Sequence, residues 1–324
     1  MDRLALGAAA VVIGTVGVIL LFWTMNAVVE RLPFRPRRAL APVVFVGPAV
    51  ALVAILLVIP GLVTIGNSFR DARSDAFVGL ANYEWLFTDP QVRQVLVNNV
   101  MWLVIVPATT LAWGLIIAVL ADKLSRRGES LAKSAIFLPV AISLVGASTI
   151  WGFVYAVRPE GRNQIGILNE IVVALGGSPI AWLLEPAIND LALMVIMIWL
   201  ETGFAMVLLS AAIKAVPAET IEAARIDGAS ERQIFWRVTT PQIRSTLVVV
   251  YTTVLISSLK VFDVVSVLTN GNFGTDVIAN RFVIELFRFR DFGHAAAIVV
   301  VLMLATIPFM ALNIRWFRHQ EAAR

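Results

Sequence analysis

The sequence predicts an all-α polytopic membrane protein, and three observations lead to this fold class. Apolar residue types make up 59% of the 324 residues. Charged types make up only 15%, against roughly 25% in an average soluble protein. The apolar residues are also gathered into long runs, and a helix needs about 20 such residues to cross the hydrocarbon core. Because backbone polar groups cannot stay unpaired in lipid, runs of this length must be helical.

Seven apolar runs of this kind are present, and each predicts a membrane-spanning helix. They occupy residues 4–29, 43–65, 101–120, 135–155, 191–213, 246–268 and 295–317. The first run exceeds the roughly 7–15 apolar residues of a secretory signal, and a basic linker separates it from the others. The sequence therefore predicts an added N-terminal helix with its linker over 1–38, followed by a six-helix transmembrane domain over 39–324.

The distribution of positive charge predicts the orientation of these helices. Most of the 26 lysines and arginines lie in alternate loops, namely 31–38, 123–133, 214–244 and the tail after 314. Loops rich in lysine and arginine stay in the cytoplasm, so we expect the N-terminus outside and the C-terminus inside. The net charge of +4 is then explained by topology, and no nucleic-acid partner is expected.

Several kinds of chemistry are excluded by composition. The chain has no cysteine and two histidines, which rules out a thiolate nucleophile and a thiolate or His-rich metal site. We therefore expect no catalytic residue, no metal and no cofactor. None of the four lysines follows a glycine, so the Gly-Lys-Ser/Thr of a phosphate-binding loop is absent. Any ATP that drives transport must be bound by another chain.

The predicted cytoplasmic loop 214–241 has the pattern of two short helices that meet at a turn. Pro217 suits the first turn of a helix, and Gly228 supplies a left-handed stop. Ser230 can then cap a second helix, which we expect to end before Pro241. On this pattern alone, an amphipathic loop lying on the membrane surface is an equally good interpretation.

The loop also contains a longer motif, formed by Glu222, Ala223, Ala224, Asp227, Gly228 and Ala229. With Phe235 and Pro241 at their spacings, it resembles the cytoplasmic signature of binding-protein-dependent ABC importer permeases. The resemblance implies a six-helix type I importer core and a coupling helix seated in a groove of an ATPase subunit. It also implies an ATPase dimer, a second permease subunit that completes a heterodimer, and an extracytoplasmic sugar-binding protein as partners.

Three ionisable residues lie inside predicted spans: Glu201, Lys260 and Asp263. A charge at mid-span costs about 2.5–3.5 kcal/mol on insertion scales, and such residues usually face a bundle interior or a wet cavity. Lys260 and Asp263 are three residues apart, so on a continuous helix they share a face and can pair. The alternatives are a structural salt bridge, or a polar cavity for a neutral, hydroxyl-rich solute that Ser257 and Ser258 also line.

A second resemblance bears on the solute. Residues 199–204 and 260–271 are similar to the maltose- and alpha-glucoside-type sugar permeases. The similarity implies that the sugar is held by Glu201, Phe204, Ser257, Ser258 and Val261. The chain is then expected to be a multi-pass subunit of the cytoplasmic membrane that forms half of the translocation pathway of an ATP-driven oligosaccharide importer.

Two other functional classes are weaker. A secondary transporter driven by an ion gradient through Glu201 or Asp263 would explain the buried carboxylates. It would leave the Glu-Ala-Ala loop without a purpose, and the sequence shows no internal repeat. A polytopic membrane enzyme would need a metal cluster or a His-based triad, which the sequence lacks.

Overall fold

A computed structural model describes residues 3–31 and 34–322 of the chain. Over these residues the secondary structure is almost entirely helical. The strand-like pairing in them is an isolated antiparallel bridge between Arg70 and Phe77. The predicted all-α class is therefore confirmed. The chain forms two compact units, Met1–Gly66 and Asn67–Arg324, and each is described by itself.

The first unit consists of long apolar helices. Helix α1 spans Arg3–Glu30, and α2 spans Phe34–Val53. A π-helical turn at Ala54–Val58 joins α2 to α3 at Ile59–Asn67, so the three form one continuous helix. None of residues 42–67 is buried, although this stretch is strongly apolar. Such a helix belongs in lipid, where exposed apolar side chains carry no penalty.

The second unit begins with helices that local capping defines. Helix α4 spans Ala81–Thr88, and α5 spans Pro90–Asp122. Asp89 starts α5, because its carboxylate accepts the backbone N–H groups of Gln91 and Val92 at 2.8 and 3.1 Å. The chain continues with α6 at Arg126–Phe137, a 3₁₀ turn at Leu138–Ala141, α7 at Leu144–Val154, α8 at Ile167–Ala174 and α9 at Asn189–Lys214.

The C-terminal part of the unit is more interrupted. Its helices are α10 at Ala218–Ile226, α11 at Glu231–Ile234, α12 at Thr240–Gln242, α13 at Arg244–Leu259, α14 at Asp263–Leu268, α15 at Ile278–Val283 and α16 at Phe292–Ala322. One π-helical turn, Phe235–Thr239, joins α11 to α12, and another, Ile284–Phe289, follows α15.

The prediction of a single uninterrupted helix over 135–155 is wrong. Helices α6 and α7 form a pair bent by 104°. Pro139 lies in the intervening 3₁₀ turn and has no N–H to continue a helix. Ile142 and Ser143 then adopt extended backbone, and the Ser143 hydroxyl restarts the helix by accepting the Gly146 N–H at 3.1 Å. The bend thus results from the end of one helix near Pro139 and the capped start of the next helix at Ser143.

The prediction of one continuous helix over 246–268 is also wrong. Helix α13 ends at Leu259, residues 260–262 are not helical, and α14 begins at Asp263. Backbone groups freed in a membrane must find other partners. Asn99 of α5 contacts the end of α13 and the start of α15, and its neighbour Asn98 contacts the turn before α15. The Asn99 amide accepts the Ile278 N–H at 2.7 Å and donates to the Leu259 carbonyl at 3.5 Å. Asn98 donates to the carbonyl of Asp276 at 2.9 Å.

Helix α9 lies at the centre of the second unit and packs against α5, α6 and α13. Two glycines set the closest approaches. An added Cβ at Gly114 of α5 would lie 2.6 Å from Ala205 Cβ, and one at Gly203 would lie 2.6 Å from the Ile136 carbonyl oxygen. Small residues at helix contacts are how membrane helices pack tightly without a hydrophobic driving force.

The length and apolar composition of each helix show whether it can cross a bilayer. Within residues 3–31 and 34–322, four helices are long and apolar enough to cross a bilayer: Pro42–Asn67, Pro90–Asp122, Asn189–Lys214 and Phe292–Ala311. The two bent pairs, Arg126–Ala141 with Leu144–Val154 and Glu231–Gln242 with Arg244–Leu259, raise this to six. Helix α1 adds a shorter apolar stretch, Val12–Ala27. The predicted division of the chain at residue 38 stays a prediction.

Candidate functional site

The predicted solute-binding residues are carried by α9 and by the end of α13. Glu201 and Phe204 lie one turn apart on α9, and both are half-buried. The side chain of Ser257 on α13 lies near enough to the Glu201 carboxyl to interact with it, so the two helices meet at a polar pair inside the apolar bundle. An intramembrane carboxyl paired across helices is a typical mark of a functional position.

Two of the predicted residues are enclosed by protein. Ser258 is fully buried, and its hydroxyl donates to the Val254 carbonyl one turn earlier at 2.9 Å. Val261 is 5% exposed. In this conformation neither residue offers surface to a solute, so the polar edge at this level of α13 is the Ser257 hydroxyl.

Lys260 and Asp263 do not share a helix face, because the helix is interrupted between them. Lys260 is exposed and follows the last residue of α13, and its N–H donates to the Ser257 carbonyl at 3.2 Å. Asp263 is half-buried and is the first residue of α14. Among the ion pairs found within 4 Å in the described chain, none involves either residue. The sequence-based pairing of these two charges is wrong, because it assumed a helix that the structure breaks.

A cleft that the sequence analysis did not anticipate opens on another face of α9. Its volume is about 530 Å³. Three indoles line it, from Trp113 of α5, Trp151 of α7 and Trp199 of α9, together with the hydroxyl-bearing Thr109 and Thr202. Thr202 and Trp199 are three residues apart, which places them on one helix face. That spacing was the available signal, but only the tertiary fold brings the other two indoles to it.

The predicted coupling loop forms a compact, exposed helical unit. Helix α10 is preceded by Pro217 and ends at Ile226, and the chain turns at Gly228, whose φ is +80°. The hydroxyl of Ser230 caps α11, and the Gln233 side chain accepts the Ser230 N–H in return at 2.8 Å. The caps expected at Gly228 and Ser230 are therefore present. Within the predicted motif Glu222, Ala223, Asp227 and Gly228 are exposed, whereas Ala224 and Ala229 are half-buried.

Charge ties the two halves of this loop together. The Arg225 guanidinium donates to the Glu231 carboxylate at 2.9 Å, and this carboxylate raises the pKa of Arg225 above its usual value. Ile226 is 86% exposed beside this pair. An apolar side chain in such an exposed position on a short, capped helix suits contact with another protein.

The second helix of the loop does not end before Pro241, as the sequence suggested. It passes through the π-helical turn and ends at Gln242. In that turn both the N–H and the hydroxyl of Thr240 donate to the Phe235 carbonyl. Pro241, which lacks an N–H, is thereby accommodated near the start of a new turn, where a proline is tolerated.

At the other end of the unit, a charged cluster packs around the start of α16. His294 Nδ1 lies 3.1 Å from the Asp291 carboxylate and 3.9 Å from that of Glu285, and its ring stacks on Trp85 at 3.6 Å. These two carboxylates and the imidazole could in geometry approach a metal ion, since their ligand atoms lie within 4.8 Å. The Arg281 guanidinium lies 2.8 Å from the Glu285 carboxylate and neutralises it. The cluster is therefore an ion-pair network.

Buried polar groups also hold the turn before α15. The Asp276 carboxylate accepts the Asn280 amide at 2.7 Å and the Val277 N–H at 3.0 Å. Burial nevertheless raises the pKa of Asp276 above its usual value, because desolvation outweighs these hydrogen bonds. An added Cβ at Gly271, whose φ is +76°, would lie 2.6 Å from this carboxylate. The turn therefore requires glycine.

Comparison with known proteins gives the same picture. The chain is 43% identical to the alpha-glucoside transport system permease protein AglF of Rhizobium meliloti (strain 1021) over 97% of both chains. It is 55% identical to the osmoprotective compounds uptake permease protein GgtC of Synechocystis sp., over 86% of this chain and 100% of that protein. In fold it matches a bacterial ABC transporter that imports the acidic polysaccharide alginate, with a TM-score of 0.70 at 22% identity. That match covers 83% of this chain and 93% of the other.

The family model described as "Binding-protein-dependent transport system inner membrane component" matches residues 27–322. This match includes the spans of the second unit and the whole of the loop 214–241. It confirms the resemblance drawn from the Glu-Ala-Ala motif and a multi-pass membrane location. The chain belongs to the family of binding-protein-dependent transport system inner membrane components.

Proposed function

We propose that this chain is one permease subunit of an ATP-driven importer for neutral oligosaccharides of the alpha-glucoside class. The observation that carries the proposal is α10 with its caps, an exposed helix between two spans in a chain of this family. The similarity to AglF, which extends over 97% of the chain, supports the alpha-glucoside class. A second permease completes the pathway, since one bundle of this size encloses only part of it.

The coupling role follows from the shape of the loop. Helix α10 is short, stopped by a left-handed glycine and braced to α11 by the Arg225–Glu231 pair. Such a unit moves as a body when it is pushed, and it lies between α9 and α13, which carry Glu201 and Ser257. An ATPase subunit that grips Glu222, Ala223 and Asp227 can thus move the helices around the polar pair.

The topology of the proposal follows from charge. We place the N-terminus outside and the C-terminus in the cytoplasm, so that the loop 214–241 faces the ATPase. The N-terminal helix and linker over 1–38 are then an addition to a permease domain over 39–324. The segments 158–190 and 270–294 face outward, where an extracytoplasmic binding protein delivers the sugar. A crystal structure of the alginate transporter with its sugar-bound periplasmic protein has the same overall fold, with a TM-score of 0.71.

The solute is proposed to meet the Glu201–Ser257 pair. The pair offers an acceptor and a hydroxyl to sugar hydroxyls, and Phe204 offers an apolar face. Lys260, exposed beside the end of α13, is a further donor. Ser258, Val261 and Asp263 take part only if the non-helical segment at 260–262 moves, because the first two are buried in this conformation.

The test is uptake by the complete importer. The chain is expressed together with a second permease, an ATPase and a sugar-binding protein. Uptake of radiolabelled maltose, sucrose and trehalose is then compared with that of lactose and cellobiose, with and without ATP. We expect ATP-dependent uptake of the α-linked sugars, and a loss of that uptake in Glu201→Ala. Accumulation of sugar by the purified chain alone, driven by an ion gradient, would show a secondary transporter instead.

A further inference from the structure

The ends of α5, α6 and α9 that adjoin the coupling loop are joined by a cluster of charged and polar side chains, here called the charged node. Its members are Asp122, Glu129, Lys133, Ser210 and Lys214. Glu129 lies at its centre, and its carboxylate pairs with both ammonium groups. The distance to Lys214 Nζ is 2.5 Å, and Lys133 forms a short pair with the same oxygen.

The outer members of the node extend these contacts to the neighbouring helices. The Lys133 ammonium also hydrogen-bonds the Ser210 hydroxyl, and this contact links α6 to α9. Lys214 lies 3.7 Å from the Asp122 carboxylate, and this contact links α9 to the last residue of α5. The node therefore ties α9 to α5 and α6, which follow each other in the chain but are distant from α9 in sequence.

The node is partly shielded from water. The side chains of Glu129 and Lys133 are 15% and 21% exposed, and that of Lys214 is 48% exposed. The Glu129 carboxylate is therefore less screened than one on an open surface, although its Lys214 partner reaches water. Removal of the Glu129 charge would also leave two ammonium groups facing each other, which repel. Glu129 is thus the member on which the arrangement depends.

The position of Lys214 gives the node its significance. Lys214 is the last residue of α9, and only residues 215–217 separate it from α10. If the connection between α9 and α10 were flexible, it would absorb any displacement of α10. Because Lys214 is held to α6, the displacement passes to α6, and the bent turn at Leu138–Ala141 leads from there to α7.

We propose that Glu129 is a positioning residue that couples α10 to α6. By holding Lys214, it makes the start of the coupling loop and the first turn of α6 move as one body. The inference rests on the proposed function and names a part of its coupling path outside the Glu-Ala-Ala motif. Movement of α6 reaches α9 along its length as well, because Gly203 packs directly on the Ile136 backbone.

The first test is the number of sugars transported per ATP hydrolysed by the reconstituted importer. Glu129→Gln is expected to keep ATP hydrolysis but to lower this ratio by roughly fivefold or more, the low end for a coupling between sites. Lys214→Gln should have a similar effect, and the double variant should be no worse than either single one. Glu129→Asp, which keeps the charge, should restore part of the ratio. Arg127→Gln is the matched control, since it removes an exposed positive charge from α6, the helix of Glu129, and Arg127 takes part in none of the ion pairs found within 4 Å in the described residues.

The second test measures distance directly. The chain has no cysteine, so cysteines at Leu131 of α6 and Ala211 of α9, both exposed, can carry spin labels without background. Between the resting and the vanadate-trapped states, the parent should show an unchanged label distance. Glu129→Gln should show a longer or broader one.

The outcomes separate the inference from the function on which it rests. A parent importer without ATP-driven uptake would refute the proposed function and the coupling role together. A parent that transports, with an unchanged ratio in Glu129→Gln, would refute the coupling role alone. A label distance that changes in the parent on trapping would refute the rigid connection. Loss of assembly in both Glu129→Gln and Lys214→Gln, while Arg127→Gln assembles, would show a purely structural role and also overturn the inference.

Discussion

Replacement of Gly228 separates backbone geometry from contact at the end of α10. Its φ of +80° is left-handed, and its N–H donates to the Arg225 carbonyl at 3.0 Å. Apart from its own chain neighbours, no atom of the described residues lies within 4 Å of the Cβ that a substitution would add, so alanine costs backbone strain alone. That strain is about 1–2 kcal/mol, enough to lower the population of the native cap by roughly five- to thirtyfold. Asparagine tolerates the left-handed region better, and valine tolerates it least.

The assay is sugar uptake and ATP hydrolysis by the reconstituted importer with asparagine, alanine or valine at position 228. Backbone strain predicts that uptake falls in the order asparagine, alanine, valine, while the thermal midpoint of the purified complex stays near that of the parent. A steric clash with the ATPase predicts another order, in which the smallest side chain, alanine, retains the most uptake. Equal uptake by all three variants and the parent would refute the geometric reasoning, and alanine ahead of asparagine would replace it with the steric one.

Three further predictions concern packing, buried amides and pH. Gly203→Ala should destabilise the protein by about 1–3 kcal/mol through overpacking, whereas Gly61→Ala, where nothing lies within 4 Å, should not; equal thermal midpoints in lipid nanodiscs would contradict this. Asn99→Leu leaves the Ile278 N–H without its acceptor and should cost about 1–3 kcal/mol, measured as a lower thermal midpoint; an unchanged midpoint would show that water replaces the amide. Asp276→Asn should raise the midpoint, because burial raises the pKa of Asp276 and penalises its ionised form. The gain should be absent below the ordinary aspartate value of 3.8 and grow as the pH rises above it, and a constant gain would contradict the assignment.

Local chemistry made the end of α10 and the start of α11 predictable from sequence. A glycine that can adopt positive φ and a serine that can accept a backbone N–H act within a few residues of themselves. The structure has both at Gly228 and Ser230. The membrane class was predictable for a related reason, because 59% apolar residues in long runs leave helices as the available solution.

The interruptions in the helices were not predictable in this way, because partners distant in sequence stabilise them. The end of α13 at Leu259 depends on Asn99, a residue of α5. Without that contact in view, residues 246–268 read as one span and Lys260 and Asp263 as a pair. The bend near Pro139 had a visible proline, but its angle of 104° depends on the extended backbone that follows. Hydrophobic periodicity specifies which residues are helical and leaves open where a helix breaks.

The candidate site shows the same division. Glu201 was found because a carboxyl in an apolar run is costly, and its partner Ser257 lies on a helix that the sequence also indicated. The three-indole cleft was missed because Trp113, Trp151 and Trp199 are separated along the chain and meet only through packing. The charged node was missed for the same reason. Each of its side chains, taken alone, is an ordinary charge at a helix end.

The broken end of α13 and the polar pair belong to one local arrangement. Helix α13 stops inside an apolar bundle, and its last carbonyls find partners nearby. The Ser257 carbonyl accepts the Lys260 N–H, and the Leu259 carbonyl accepts the Asn99 amide. These contacts fix the backbone beside Glu201, so that Asn99 stabilises the break and also positions the Ser257 side chain next to the Glu201 carboxyl. If this is correct, Asn99→Leu should weaken sugar-dependent stabilisation of the importer more than Gly203→Ala does at equal loss of thermal stability, since only the former disturbs the end of α13.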